Sequence, residues 1–247
     1  MSRDHVTTLE LWDAEVDGHP LQAWRHHPSF PERLAAVVHP LATSPGPRPA
    51  IASVVLAGGG ASPSQVTALR RVGLFARIVG DPVMAAARAG LRHGPTPVDL
   101  CADLGQTSIK LHNGRRSWRI DRDPARAPFR DAVSPSRWSD AREHTLRFIA
   151  EALRLTPAPR RLRLGLPCEI SRARPTRCTY CWDDPDPSWR PELAAALGLE
   201  PEALRLHNDA ELAAWAVARE PALDRRRPVL VLTIGYGVGA AILEPPS

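Results

Sequence analysis

Two apolar runs, each turned back on itself at a glycine, constrain this chain more than any other feature. The first extends from Val98 to His112 and breaks at Gly105-Gln106-Thr107. The second extends from Pro228 to Leu243, breaks at Gly235-Tyr236-Gly237 and carries a further Gly239. Short apolar runs bounded by glycine read as strands, and two of them joined by a tight turn read as a β-hairpin. A chain with two such hairpins is expected to build two sheets, or two halves of a fold, around them.

The residues at the tips suit phosphate. Glycine lets a backbone come close to a bound oxygen. Backbone N–H groups of the turn, and the hydroxyls of Thr107 and Ser108, can donate to phosphate oxygens. Asp103 lies just before the first turn and can hold Mg²⁺ through water. Lys110 is the only lysine among 32 Lys and Arg residues, and it falls on this hairpin. An ordinary hairpin with a solvated lysine is the alternative for the same stretch.

Before the first hairpin, Val6 to Trp24 alternates around Asp17-Gly18, a hairpin signal. Apolar spacing predicts a helix over Phe30 to Leu41. Ile51 to Leu56 predicts a strand that runs into Gly58-Gly59-Gly60, with a helix from about Ser64 to Val72 behind it. Strand, glycine turn and helix together make a cradle for a nucleotide. The spacing does not fit the dinucleotide pattern G-x-G-x-x-G, so no NAD site is expected. A strand at Ala76 to Val79 and an Ala-rich helix from Val83 to Leu91 complete this part.

After the first hairpin come a strand at Arg116–Ile120, an irregular stretch at 121–136 and an amphipathic helix from Trp138 to Leu155. A strand then leads to Gly165-Leu166-Pro167-Cys168. A polar loop follows over 172–187, then a short helix at Glu192–Leu197 and a strand at Leu204–His207. Asn208-Asp209 stands at the mouth of a further helix, Ala210 to Arg219. An acid there can act as general base toward a substrate hydroxyl, or simply cap the helix.

Composition excludes several classes. No apolar run approaches the roughly 20 residues that cross a bilayer. The first residues, Met-Ser-Arg-Asp-His, lack the basic and apolar regions of a secretory signal. The formal net charge is +5, but the arginines are scattered among acids and only 5% of residues are aromatic. No stacking pattern for nucleic acid results, and none is expected as a partner. The four cysteines are too few for a disulfide scaffold, which makes a reducing cytoplasm the expected location. Cys178 and Cys181, with Cys168, can hold Zn²⁺, taking His207 or an Asp as fourth ligand. Free thiols in a loop are the alternative.

With these residues in view, the chain resembles the actin-like ATPase superfamily, and within it the ROK group of sugar kinases and repressors. Asp103-Leu-Gly-Gln-Thr-Ser-Ile-Lys110 resembles the first phosphate motif, Asp-x-Gly-Gly-Thr. Gly165-Leu-Pro167, followed by Trp189 and a helix, resembles the stretch leading to the sugar site. Asn208-Asp209-Ala210 resembles the motif whose Asp is the catalytic base. Leu232-Thr-Ile-Gly235-Tyr-Gly237-Val-Gly239 resembles the second phosphate motif, Gly-Thr-Gly-x-Gly. Residues 51–91 resemble the adenosine half that normally follows, with Gly58, Gly59 and Gly60 toward adenosine. The resemblance therefore implies a circular permutation, with the usual C-terminal half moved to the front.

It further implies an α/β fold of two ribonuclease-H-like subdomains around a nucleotide cleft. Residues 1–95 with 226–247 would form one, and residues 97–222 the other. The implied activity is ATP-dependent phosphoryl transfer to a sugar or similar hydroxyl compound. Asp209 would be the base, Asp103 would position Mg²⁺, and Asn208 and Pro167 would lie toward the substrate. A homodimer is compatible with this class, and no membrane partner is implied. The sequence departs from the pattern at Gln106, where the family has Gly, and at Tyr236, where it has Thr. The Glu of the family's Glu-x-Gly-His motif is missing near His5, and no cysteine-rich zinc loop follows. A non-catalytic nucleotide- or sugar-binding accessory protein is the implied alternative. A third reading makes residues 1–95 an unrelated domain.

Overall fold

The structure is a computed structural model that describes residues 5–11, 14–44, 50–92, 97–122, 138–171, 174–176, 189–221 and 223–246. The chain is mixed α/β and divides into two compact units. Unit 1 holds residues 1–86 and 210–247, and unit 2 holds residues 87–209. The division falls at 86/87 and 209/210, where the sequence suggests 95 and 222.

Unit 1 begins with β1 (Val6–Glu10), the small β2 (Glu15–Val16) and β3 (His19–Pro20), and a 3-10 turn at Leu21–Trp24. Asp17 and Gly18 join β2 to β3 with φ of 52° and 74°, the two positive angles that a type I′ turn requires. The expected hairpin is thus present, but it is two residues deep. β1 pairs elsewhere. Next come α1 (Phe30–Thr43), β4 (Ser53–Ala57), α2 (Pro63–Arg71), β5 (Ala76–Ile78) and α3 (Ala85–Gly90), the last running into unit 2.

Unit 2 continues with β6 (Leu100–Leu104), β7 (Ser108–His112), β8 (Ser117–Asp121) and α4 (Trp138–Arg154). It then forms β9 (Leu162–Leu166), β10 (Glu169–Ser171), β11 (Arg174–Thr176), α5 (Trp189–Ala196) and β12 (Leu204–Asn208). β10 and β11 pair as an antiparallel ribbon where the sequence suggests loop from 172 on. The chain returns to unit 1 through α6 (Asp209–Val217), β13 (Val229–Ile234) and β14 (Val238–Leu243).

Each unit is built on a five-stranded sheet. In unit 2 the order is β12-β9-β6-β7-β8, and in unit 1 it is β1-β14-β13-β4-β5. In unit 2, β6, β7 and β8 are successive antiparallel neighbours, β9 runs parallel to β6, and β12 runs parallel to β9. Unit 1 repeats the scheme when read from β13: β14 and β1 follow antiparallel, then β4 and β5 parallel. The ladder from Val6 to Leu243 therefore joins the first strand of the sequence to the last.

One face of each sheet is apolar and covered by helices. In unit 2, Leu100, Ala102, Leu104, Ile109, Leu111, Leu162, Leu164, Leu166, Leu204 and Leu206 alternate onto that face and pack on Ile149, Leu153 and Leu193. In unit 1, Val54, Leu56, Leu230, Leu232, Ile234, Ala240 and Ile242 do the same against Leu34, Val38 and Leu69. Residues from both ends of the sequence thus share one core, so 1–95 is not a separate domain. Among the described residues, no helix is long and apolar enough to cross a membrane.

Candidate functional site

The opposite face of the unit 2 sheet is polar. Period-two alternation brings Cys101, Asp103, Lys110, His112, Arg163, Gly165 and His207 onto it. Asp103 is buried at 8% exposure and faces Lys110 across the β6–β7 ladder. Lys110 Nζ stands 3.4 Å from Asp103 Oδ2. A carboxylate this deep is costly unless neutralised, and the lone lysine neutralises it. Burial, then the Asp103 charge two residues on, pushes the Cys101 thiol far above its ordinary range. Burial, with Arg88 and Arg92 nearby, lowers the His112 imidazole against a hydrogen bond to the Arg116 backbone carbonyl that raises it.

The turn itself is tight. Gly105 N–H donates to the Ser108 carbonyl at 2.9 Å. A Cβ on Gly105 would come 2.9 Å from Lys110 Nζ, so the glycine makes room for the ammonium. Gln106 is half-buried, Thr107 is exposed and Ser108 is buried at 2%. The Thr107 carbonyl accepts from Arg122 N–H at 2.8 Å, which ties the tip to the end of β8.

Asn208 and Asp209 lie at the same sheet edge. Asp103 is in register with Gly165, Gly165 with His207, and Leu166 with Asn208. Strands sit about 4.8 Å apart, so Asp103 and His207 are about 10 Å from each other along one row. Asn208 Nδ2 donates to the Cys168 carbonyl at 2.7 Å and pins the turn after β9, where Pro167 sits half-buried. Asp209 opens α6, where the helix dipole favours an acid.

In unit 1 the glycines of the two turns are not equivalent. Gly58 has φ of 88°, and a Cβ there would meet the Ile234 carbonyl oxygen at 2.5 Å. A Cβ on Gly60 would collide with Arg25 Nη2. These two glycines therefore admit other parts of the protein. A Cβ on Gly59 or on Gly235 would have nothing within 4 Å, so these two are the open ones. Gly60 N–H donates to the Ile234 carbonyl at 2.7 Å, which joins the loop after β4 to the β13–β14 hairpin. Gly239 sits within β14, opposite Thr233. Arg25 Nε donates to the Gly235 carbonyl at 2.7 Å and Gln22 Nε2 to the Tyr236 carbonyl at 2.8 Å. Sequence reasoning missed Arg25 and Gln22, because nothing in a local window relates them to a turn more than 200 residues away.

Of the three cysteines expected to hold zinc, one lies among the described residues. Cys168 is disulfide-bonded, and an oxidised sulfur is not the thiolate that zinc requires. Cys178 and Cys181 lie outside the described residues. Among the described residues, no group of three or more His, Cys, Asp or Glu side chains is arranged to hold a metal ion. For Mg²⁺, the Asp103 carboxylate is a fitting oxygen donor of the kind that binds through water, and Lys110 shares it.

No protein-family model matches this sequence, and no curated protein matches it significantly.

Proposed function

We propose that the protein is an ATP-dependent phosphotransferase acting on a sugar or similar hydroxyl compound, built as a circularly permuted pair of ribonuclease-H-like subdomains of the ROK kind. The observation that carries this reading is the strand register of unit 2. It brings Asp103 with Lys110, and Asn208-Asp209, to the carboxyl ends of three parallel strands. Ligands of open α/β sheets bind at such strand ends. The shared strand order of the two units supports the permuted pair.

In this reading Asp209 accepts the proton of the acceptor hydroxyl. Lys110 faces phosphate charge, and Asp103 fixes the ammonium and holds Mg²⁺ through water. Asn208, anchored on the Cys168 carbonyl, sets the start of α6 and so the position of Asp209. Bound Mg²⁺·ATP supplies the phosphoryl group with its charge partly neutralised.

The test is calorimetric titration with ATP, with and without Mg²⁺, followed by phosphoryl transfer to a panel of hydroxyl acceptors. Asp209→Asn should lose about 10²–10⁴-fold in turnover, with ATP affinity held within a few-fold. An absence of binding at millimolar ATP overturns the reading. A second reading, a non-catalytic nucleotide binder, is favoured by the Lys110 ammonium lying over Gly105. ATP binding with no transfer to any acceptor would select it.

A further inference from the structure

Arg25 is a half-buried cation with no anion beside it among the described residues. Its Nε is engaged by the Gly235 carbonyl, and its guanidinium stacks over the Phe30 ring with Cζ 5.1 Å from the centroid. Among the described residues neither Nη atom has a hydrogen-bond partner, and neither is sealed from solvent. No carboxylate among the described residues pairs with it. Burial lowers the guanidinium's pKa, the mark of a charge held partly out of water without a counter-ion.

The surroundings are shaped for this side chain. Gly60 lacks the Cβ that would strike Nη2, so the guanidinium lies against the glycine loop. The N–H groups of Gly58 and Gly60 are already used, by the Pro82 and Ile234 carbonyls. The N–H of Gly59 has no acceptor among the described residues, and its surroundings are open. A planar fork of N–H donors beside a free backbone N–H suits the oxygens of a phosphate.

We propose that Arg25 and the Gly58–Gly60 loop of unit 1 form a binding site for the phosphate chain of a nucleotide, with Arg25 as its charge. This rests on the phosphotransferase reading and names the residue that reads phosphate in unit 1. The same arginine holds the hairpin turn through Gly235, so anion binding and hairpin position are linked in one side chain.

The experiment titrates the full chain with ATP, with inorganic tripolyphosphate and with adenosine. Two variants are compared with the unmodified protein. Arg25→Gln removes the charge. Gly59→Asp keeps every Arg25 contact and sets a carboxylate in open space beside it, so it answers if Arg25→Gln fails to fold. ATP and tripolyphosphate should each weaken about tenfold or more in both variants, and Arg25→Gln should bind adenosine as the unmodified chain does. If both folded variants bind ATP as the unmodified chain does, this inference falls and the nucleotide reading stands. If tripolyphosphate binds through Arg25 but ATP does not bind, the anion site stands and the nucleotide reading falls. If neither binds, both fall.

Discussion

The two sheets share a strand order and an apolar helix-covered face, yet on the other face their central hairpins differ. In unit 2 that face carries Cys101, Asp103, Lys110 and Arg163. In unit 1 the matching strands offer Val55, Ala57, Val231, Thr233 and Ala241. The contrast is sharpest at the second rung of each hairpin. Asp103 faces Lys110 in unit 2, and Thr233 faces Gly239 in unit 1. One hairpin carries its own charges. The other has none on its strands, and a side chain from the distant 21–25 segment brings one to its tip. The same backbone scheme can thus house a charge within the ladder or import it.

Three sets of variants can break or sharpen this contrast. The largest effect is expected at the charged rung. Lys110→Met leaves a buried carboxylate unpaired and should cost about 3 kcal/mol in urea unfolding, while Asp103→Asn with Lys110→Met together should recover most of it. Thr233→Val, at the matching rung of unit 1, should be neutral or slightly stabilising, because the buried Thr233 hydroxyl has no hydrogen-bond partner among the described residues. Equal losses at both rungs would erase the distinction.

A smaller effect separates the glycines. Gly58→Ala puts a methyl against the Ile234 carbonyl at a positive φ and should lose about 2 kcal/mol. Gly105→Ala meets only the flexible end of Lys110 and the Ser108 carbonyl at 3.1 Å, and should lose about half as much. Gly59→Ala should melt with the unmodified chain. A Gly59→Ala loss as large as that of Gly58→Ala would mean that the loop is uniformly packed.

The smallest effect concerns a clamp found in unit 1. Glu220 accepts from Gly80 N–H at 2.9 Å and pairs with Arg77. Burial pushes its carboxyl up, but the Arg77 hydrogen bond, the Gly80 N–H and the Arg77 charge together bring it below the ordinary value. A carboxyl lowered in the fold stabilises above its unfolded pKa of about 4.3 and loses that contribution as pH falls through the folded value. Glu220→Gln should therefore cost about 1 kcal/mol at pH 7 and nothing near pH 2, read by thermal melts across pH. A pH-independent difference would assign the loss to packing instead.

Much of the architecture is legible in the sequence because its signals are local. Alternation predicts β6, β7, β9, β13 and β14, and Asp103 and Lys110 flank so short a turn that they must meet across the ladder. Helix spacing predicts α1, α2 and α4 within a residue or two. α5 begins at Trp189, three residues before the predicted start, since Pro191 is tolerated in a first helical turn. The illegible parts depend on residues far apart in sequence. The alternation of Val6–Glu10 suits a local hairpin, but its partner is β14. The glycines at 58 and 60 suggest space for a ligand, and the space at both is filled by Ile234 and Arg25. Composition at one position cannot reveal what another segment places beside it.

The position of β13 in the chain has a consequence for biogenesis. It is the middle strand of the unit 1 sheet, with β4 on one side and β14 on the other, but it is made after all of unit 2. At 5–20 residues per second, the first 86 residues wait on the order of 10 s on the ribosome for their central strand. During that delay β4, an apolar strand that ends buried, has no native neighbour on its β13 side. Unit 2 meets no such delay, because its five strands are contiguous in synthesis. The nascent chain is therefore expected to finish its middle first, and the first 86 residues are the part most in need of a chaperone.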